Sequence, residues 1–416
     1  MIILPKSLDV QCQLNLAGSK SESNRALMIS AYGGFRERFL NISDSDDTRL
    51  LYNLLSMIAV ANRKEVNTID CENAGTVYRF LLSYLAGQEG LWILTGSDRM
   101  LSRPIGPLVD TLRILGAQIE YKGNVGYPPL FVHGGKIHGG NVSVNTDQSS
   151  QFASSLMLAA PTWTKGLTLS LIGELKSLPY IDLSIAMMSH FGAQVKRNST
   201  VVTVEPTGYE AVETEITTDW SSASYWYELA AFSSNCNIFI RKIKYPSWQG
   251  DSNIVSIAEQ FGVYSISNLF GLAIQKVQSN VKEIQYDFSN TPDLFPTVAA
   301  MCAGLGVAAV FTGLSALSVK ESDRLAVMST ELSKIGVQFN RLSDDVMELV
   351  PASKLPYFSK NEPVIFDSHK DHRVAMSLSV LAMKIGAVKL LYPEAVSKSY
   401  PLFFSDLDNS GAFVLI

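Results

Sequence analysis

Six short polar clusters stand beside apolar, helix-like runs: GSKSESNR (18–25), ENAGTVYR (72–79), DQSSQF (147–152), DWSSASY (219–225), TPDLFP (291–296) and HKDHRVAM (369–376). Each reads as a helix start, where unpaired backbone N–H groups favour a bound anion. Ser, Thr, Asp and Asn at such places are also ordinary N-caps. Capping does not account for the basic residues that accompany the caps in three clusters, because a helix start favours acid. Further cations lie beside small residues in RMLSRPIG (99–106), KESDR (320–324) and SKSYP (397–401). Arg103, Arg324 and Lys398, taken with Lys20, Arg25 and Arg373, point to one or two phosphate or carboxylate ligands.

Other chemistries fit poorly. There is no GxGxxG after a strand and no Walker A sequence. His369 and His372 have no acidic or cysteine company at ligand spacing, so no metal is expected. The four cysteines, Cys12, Cys71, Cys236 and Cys302, are scattered without a CxxC and read as free thiols in a reducing compartment. A net charge of -5 gives no global pull toward nucleic acid or anionic lipid. MIILPKSLDV does not read as a signal peptide, and no run of eighteen apolar residues offers a membrane span. A cytoplasmic protein is expected.

The elements that carry these clusters repeat. Helix-like apolar runs followed by a break and a strand-like run begin near residues 26, 77, 153, 223, 297 and 374. A second echo, LGAQIE at 115, FGAQVK at 191, FGVYSI at 261 and IGVQFN at 335, reads as a glycine at a helix end feeding a short strand. These copies are 76, 70 and 74 residues apart, which suits α/β modules of that size rather than a solenoid. With 416 residues, 47% hydrophobic and 18% charged, six such modules can pack as two groups of three. SMIAVANRKEVNTID lacks the glycine echo, so the first module is expected to miss a strand or hairpin.

The order GSKSxSNRA, SDDTR, NAGT, RMxxRPI, SSQF, LPYID, QGD, PD, KESDR, DHRxAM and a final Lys398 resembles the 5-enolpyruvylshikimate-3-phosphate synthases, over essentially the whole chain. That resemblance implies an α/β, two-domain enolpyruvyl transferase fold, the inside-out α/β barrel. Each domain then has three βαβαββ modules around a pseudo-threefold axis, and ligands lie between the domains. It implies a first domain of 1–18 plus 220–416 and a second of 19–219. It also implies transfer of the enolpyruvyl group of phosphoenolpyruvate to the 5-hydroxyl of shikimate 3-phosphate, without metal or organic cofactor. These two small anions would be the partners of a monomer, with no nucleic acid or membrane involved.

Carried onto this sequence, the resemblance makes Asp293 the base for the acceptor hydroxyl and Glu321 the group at the methylene carbon, with Lys20 touching both substrates. It gives phosphoenolpyruvate to Arg103, Arg324, Arg373 and Lys398, with Gly75 and Gln151 nearby. Shikimate 3-phosphate falls to Ser21, Arg25, Ser149, Ser150, Gln151, Ser177, Tyr180, Asp293 and Lys320, while Asn73 and His372 line the site. Gly75 would leave room for glyphosate, the family's inhibitor.

Four positions depart from the family pattern: Ala316 for asparagine, Leu178 for lysine, Phe80 for proline and Glu72 for glycine, whose side chain should point away. The related transferases that act on UDP-N-acetylglucosamine carry a reactive cysteine before their third module. Here no cysteine lies between Cys71 and Cys236.

Overall fold

A computed structural model describes residues 1–35 and 39–416; the middle of the first echo, residues 36–38, lies outside the described residues. The chain divides into two compact units, Met1–Ser19 with Thr217–Ile416, and Lys20–Ile216.

In the first unit, three helices form the centre: Trp220–Phe232, Phe295–Leu305 and His372–Val380. Nearly every residue of the three is buried, so each helix is enclosed on all sides. Every residue of His372–Val380 is buried. Small residues let the helix backbones approach: a Cβ on Gly304 would come within 2.6 Å of the Phe232 ring. Where the three helices meet, Ser224, Thr297 and Ser377 join their hydroxyls at 3.4 and 3.3 Å, so the polar atoms satisfy one another.

Three four-stranded sheets surround these helices. Glu283–Asp287 runs parallel to Ala308–Thr312 across the Phe295–Leu305 helix, and Val364–Asp367 parallel to Val388–Leu391 across His372–Val380. In the third sheet the parallel partner of Asn235–Arg241 is Asp9–Leu14, a strand separated from it in sequence by the whole second unit. The two connecting segments pair where they cross: Ser19 N–H donates to Thr217 O at 2.8 Å and Asp219 N–H to Ala17 O at 3.1 Å. Gln249 fastens this crossing, donating from Nε2 to Thr217 Oγ1 (2.7 Å) and Thr218 O (3.0 Å) while accepting from Trp220 N–H (2.9 Å).

The second unit repeats the plan around Lys20–Gly33, Gly75–Ala86 and Gln151–Ala159. Two of its sheets have four strands; among the described residues the first pairs only Phe39–Leu40 with Thr214–Glu215. The Asp46–Val60 helix passes to Val66–Asp70 through a short turn with no intervening hairpin.

The four glycine echoes behave as their sequence suggests. Gly116, Gly192, Gly262 and Gly336 have φ of +101°, +83°, +78° and +84°, left-handed values that cost a side chain dearly. Each leads into a strand: Gln118–Tyr121, Val195–Asn198, Val263–Asn268 and Gln338–Arg341. All six polar clusters lie at or just before helix starts. Among the described residues no helix is long and apolar enough to cross a membrane.

Candidate active site

In the first unit the expected residues converge on one carboxylate. Asp293 sits in the short turn Pro292–Leu294 that leads into a central helix. Its Oδ1 accepts from Arg324 Nη1 at 2.8 Å and its Oδ2 from Arg373 Nη2 at 2.7 Å, with Lys320 Nζ 3.9 Å away. Burial opposes its ionisation, but Arg373, Lys320 and Arg324 together hold Asp293 well below the usual carboxylate range.

Arg324 is 1% exposed and donates to three acids: Asp293, Glu321 Oε2 (2.9 Å) and Asp371 Oδ2 (2.9 Å). Burial works against its charge, and the three carboxylates more than compensate, raising its pKa above the ordinary arginine value. A guanidinium fork suits this role because several N–H bonds radiate from one plane.

Asp371 is wholly buried and does three further things. It caps the His372–Val380 helix through Arg373 N–H (3.0 Å), accepts from Ser322 Oγ (3.0 Å) and meets Arg324 through both oxygens. The residues before it, His369 and Lys370, both have positive φ, +49° and +57°, a strain that the surrounding contacts must hold. His372 is 1% exposed with Nδ1 3.9 Å from Asp371. Lys398 ends the short helix Pro393–Lys398.

In the second unit the expected residues form a connected band across helix starts. Lys20 opens Lys20–Gly33 and meets Asp47 Oδ2 at 3.2 Å. Gly75 opens Gly75–Ala86 and lies under Arg103, itself 4% exposed; a Cβ at residue 75 would be 2.5 Å from Arg103 Nη1. Gln151 opens Gln151–Ala159. Its Nε2 donates to Thr76 Oγ1 (2.8 Å), its Oε1 accepts from Arg79 Nη1 (2.7 Å), and its N–H donates to Ser149 Oγ (3.2 Å).

Arg25 is 2% exposed and draws three helices together: Nε donates to Ser184 Oγ (2.8 Å), Nη1 to Ser21 O (2.9 Å) and Nη2 to Tyr180 O (3.0 Å) and Ser154 Oγ (3.5 Å). These partners are all neutral. Burial brings its pKa down to about 10, with Tyr180 and Glu22 opposing. The face of Phe80 lies 5.5 Å from its Cζ, so this departure from the family pattern gives the buried cation a π surface. Ser150 and Ser177 are buried, and Ser177 (φ +59°) precedes the Leu178–His190 helix; Asn73 lies in the turn before Gly75.

Of the other departures, Glu72 is exposed and has φ +48°, a conformation natural to glycine. Ala316 is half-buried in the short helix Ser315–Val319, and Leu178 is half-buried as well. Five residues that contact the expected ones, directly or through one another, were not singled out from the sequence: Asp47, Arg79, Asp371, Ser221, which accepts from Arg373, and Asp251, which accepts from Ser221. SDDTR, NAGTVYR, QGD and DHRVAM contained four of them, but only the tertiary contacts say which side chain faces a cation. Among the described residues no group of three His, Cys, Asp or Glu side chains could hold a metal ion.

Such an arrangement can bind anions and move protons: cations sit on helix starts, and two acids, Asp293 and Glu321, share one arginine. Residues 5–407 match the family model for EPSP synthase (3-phosphoshikimate 1-carboxyvinyltransferase). A 3-phosphoshikimate 1-carboxyvinyltransferase of Bacteroides fragilis is 36% identical over 98% of this chain and 97% of its own length. One from a Sulfurovum species is 32% identical over 97% of each. Among solved structures, EPSP synthase from Acinetobacter baumannii superposes with a TM-score of 0.77 at 23% identity, covering 99% of this chain and 98% of that one. The enolpyruvyl transferase NikO from Streptomyces tendae gives 0.73 at 13% identity, covering 99% and 97%.

Proposed function

The chain belongs to the EPSP synthase (3-phosphoshikimate 1-carboxyvinyltransferase) family, and from that premise we infer that it transfers the enolpyruvyl group of phosphoenolpyruvate to the 5-hydroxyl of shikimate 3-phosphate. The reaction releases phosphate and belongs to the shikimate route toward aromatic amino acids. The observation that carries the reading is Arg324, which holds Asp293 and Glu321, the two acids that addition and elimination require, on one guanidinium.

The acceptor oxygen bonds to C2 of phosphoenolpyruvate as C3 gains a proton, giving a tetrahedral intermediate. The C2–O bond to phosphate then breaks and C3 loses a proton, restoring the double bond. Asp293 takes the hydroxyl proton and returns it to the departing phosphate. Glu321 delivers the proton to C3 and recovers it.

Arg103, Arg324, Arg373 and Lys398 hold the carboxylate and phosphate of phosphoenolpyruvate, with Gly75 and Gln151 beside them. Ser21, Arg25, Ser149, Ser150, Ser177, Tyr180 and Lys320 hold shikimate 3-phosphate, and Lys20 serves both ligands. Fixing both reactants removes most of the entropic part of the barrier.

Since Arg324 and Arg373 already hold protein carboxylates, substrate binding is an exchange of partners. Phosphoenolpyruvate draws the arginines toward its own oxygens, and Asp293 becomes more basic as it loses them. A coupled phosphate-release assay tests the function. Release is expected only with both substrates present; binding of both without turnover would leave a ligand-binding protein that has lost the activity.

A further inference from the structure

Asp251, in the turn Gly250–Asn253, is 4% exposed, and its two oxygens have different fates. Oδ2 accepts a hydrogen bond from Ser221 Oγ, whereas Oδ1 is buried with no hydrogen-bond partner among the described residues. Ser221 Oγ in turn accepts from Arg373 Nη2 at 3.3 Å, the same nitrogen that donates to Asp293 at 2.7 Å. A hydroxyl whose proton is committed to a carboxylate turns its lone pairs outward and becomes a stronger acceptor.

We infer that Asp251 is a positioning residue for Arg373: acting through Ser221, it backs a contact to the guanidinium that remains when phosphoenolpyruvate draws it away from Asp293. With Ser221 retained, the contact to Asp293 is exchanged while Nη2 keeps the acceptor it already has. The inference rests on the proposed role of Arg373 toward phosphoenolpyruvate.

The surroundings of Asp251 make this contact sensitive to pH. Ser221 and the capping Asp219 face it from the Trp220–Phe232 helix, Asp293 from its turn, Arg373 from the His372–Val380 helix and Tyr286 from the Glu283–Asp287 strand. Burial and the charge of Asp293 push Asp251 up to about 6, against the opposing pull of Arg373 and Ser221. Below that pH the carboxyl is neutral and Ser221 loses its charged backing.

The test compares wild type with Asp251→Asn, Ser221→Ala and the double variant, measuring KM for each substrate from pH 5 to 8.5. At pH 8 each single variant is expected to raise KM for phosphoenolpyruvate about tenfold, as for the loss of one charge-backed contact. The double variant should be no worse than either single one. The ratio of Asp251→Asn to wild type should fall toward one as pH drops through about 6; taking the ratio cancels the ligand's own ionisation. KM for shikimate 3-phosphate should stay unchanged. A pH-independent ratio, additive effects, or equal changes in both KM values would overturn the inference. Calorimetric titration of phosphoenolpyruvate onto the same proteins reads the same ratio without turnover. Failure of the activity and failure of this contact are therefore separate results. Should Ser221→Ala not fold, the near-isosteric Asp251→Asn decides alone through its pH dependence.

Discussion

Arg373 Nη2 donates to Asp293 Oδ2 at 2.7 Å, and the other oxygen of that carboxylate is held by Arg324 at 2.8 Å. Both arginines are nearly buried, so these bonds act where solvent screens them little. The acid proposed as base is therefore a weak base until an anion takes its partners. An unliganded enzyme protected in this way has little tendency to pick up protons at the wrong moment.

Asp293→Asn should lower kcat by roughly 10²- to 10⁴-fold, the range of general acid–base catalysis. It should also leave a stability signature. The folded-state pKa of Asp293 is depressed below the ordinary 3.8, so its ionic contribution is fully present above that value. It is lost as pH falls through the lowered folded value. Thermal melts should show a penalty for the variant that disappears in strong acid and that narrows as pH rises through about 6, because the charge of Asp293 helps push the Asp251 carboxyl up; a penalty that persists in strong acid would point to a different group.

Gly75→Ala places a methyl 2.5 Å from Arg103 Nη1, closer than atoms tolerate, so the guanidinium must move. KM for phosphoenolpyruvate should rise by about ten- to a hundredfold, the effect of losing one or two hydrogen bonds to a charged group. KM for shikimate 3-phosphate should change little. Glyphosate should compete with phosphoenolpyruvate in the wild type and compete less well in the variant. Equal kinetics for the two proteins would show that Arg103 is not held against Gly75 during turnover.

Phe80 offers a contact that the family's usual proline would not. Phe80→Leu keeps an apolar side chain but removes the ring beneath Arg25, a loss of about 0.5–2 kcal/mol. Lower melting temperature and weaker shikimate 3-phosphate binding should follow together, and Phe80→Tyr should restore both. If Leu and Tyr behave alike, packing rather than the π face is what Arg25 uses.

Glu228 is wholly buried in the Trp220–Phe232 helix, and neither carboxyl oxygen has a hydrogen-bond partner among the described residues. Burial raises its pKa well above the ordinary 4.5. The folded protein thus keeps a proton that the unfolded chain releases, and stability falls as pH rises above about 4.5. Glu228→Met should be more stable than wild type, by about 1–3 kcal/mol for the unsatisfied carboxyl alone. The gap should widen with rising pH in thermal melts from pH 4.5 to 8.5. A gap that is flat or negative would mean that the carboxyl finds a partner in solution.

Much of the positioning could be read from local pattern. Gly116, Gly192, Gly262 and Gly336 mark helix ends because only glycine takes their backbone angles cheaply. The clusters at Lys20, Gly75, Gln151, Ser221, Asp293 and His372 announce helix starts by their capping-type residues, and three of them by unexpected cations as well. The acid partners were less legible. Asp371 reaches Arg324 across 47 residues, and Asp251 reaches Ser221 across 30, so neither contact leaves a local signature. Glu228 in SYWYELAAF carries no sign that its helix is enclosed on every side. Phe80 looks from sequence like a disturbance, and only Arg25, 55 positions earlier, gives it a purpose.

Glu321 and Asp293 are proposed to pass protons to and from a tetrahedral intermediate. Running the reaction in D2O and reading the product's vinyl methylene by NMR tests this most directly. Deuterium should enter that carbon only when both substrates are present, and its incorporation should drop sharply in Glu321→Gln. Product formed with no deuterium at the methylene would contradict the mechanism, because C3 would never have been protonated.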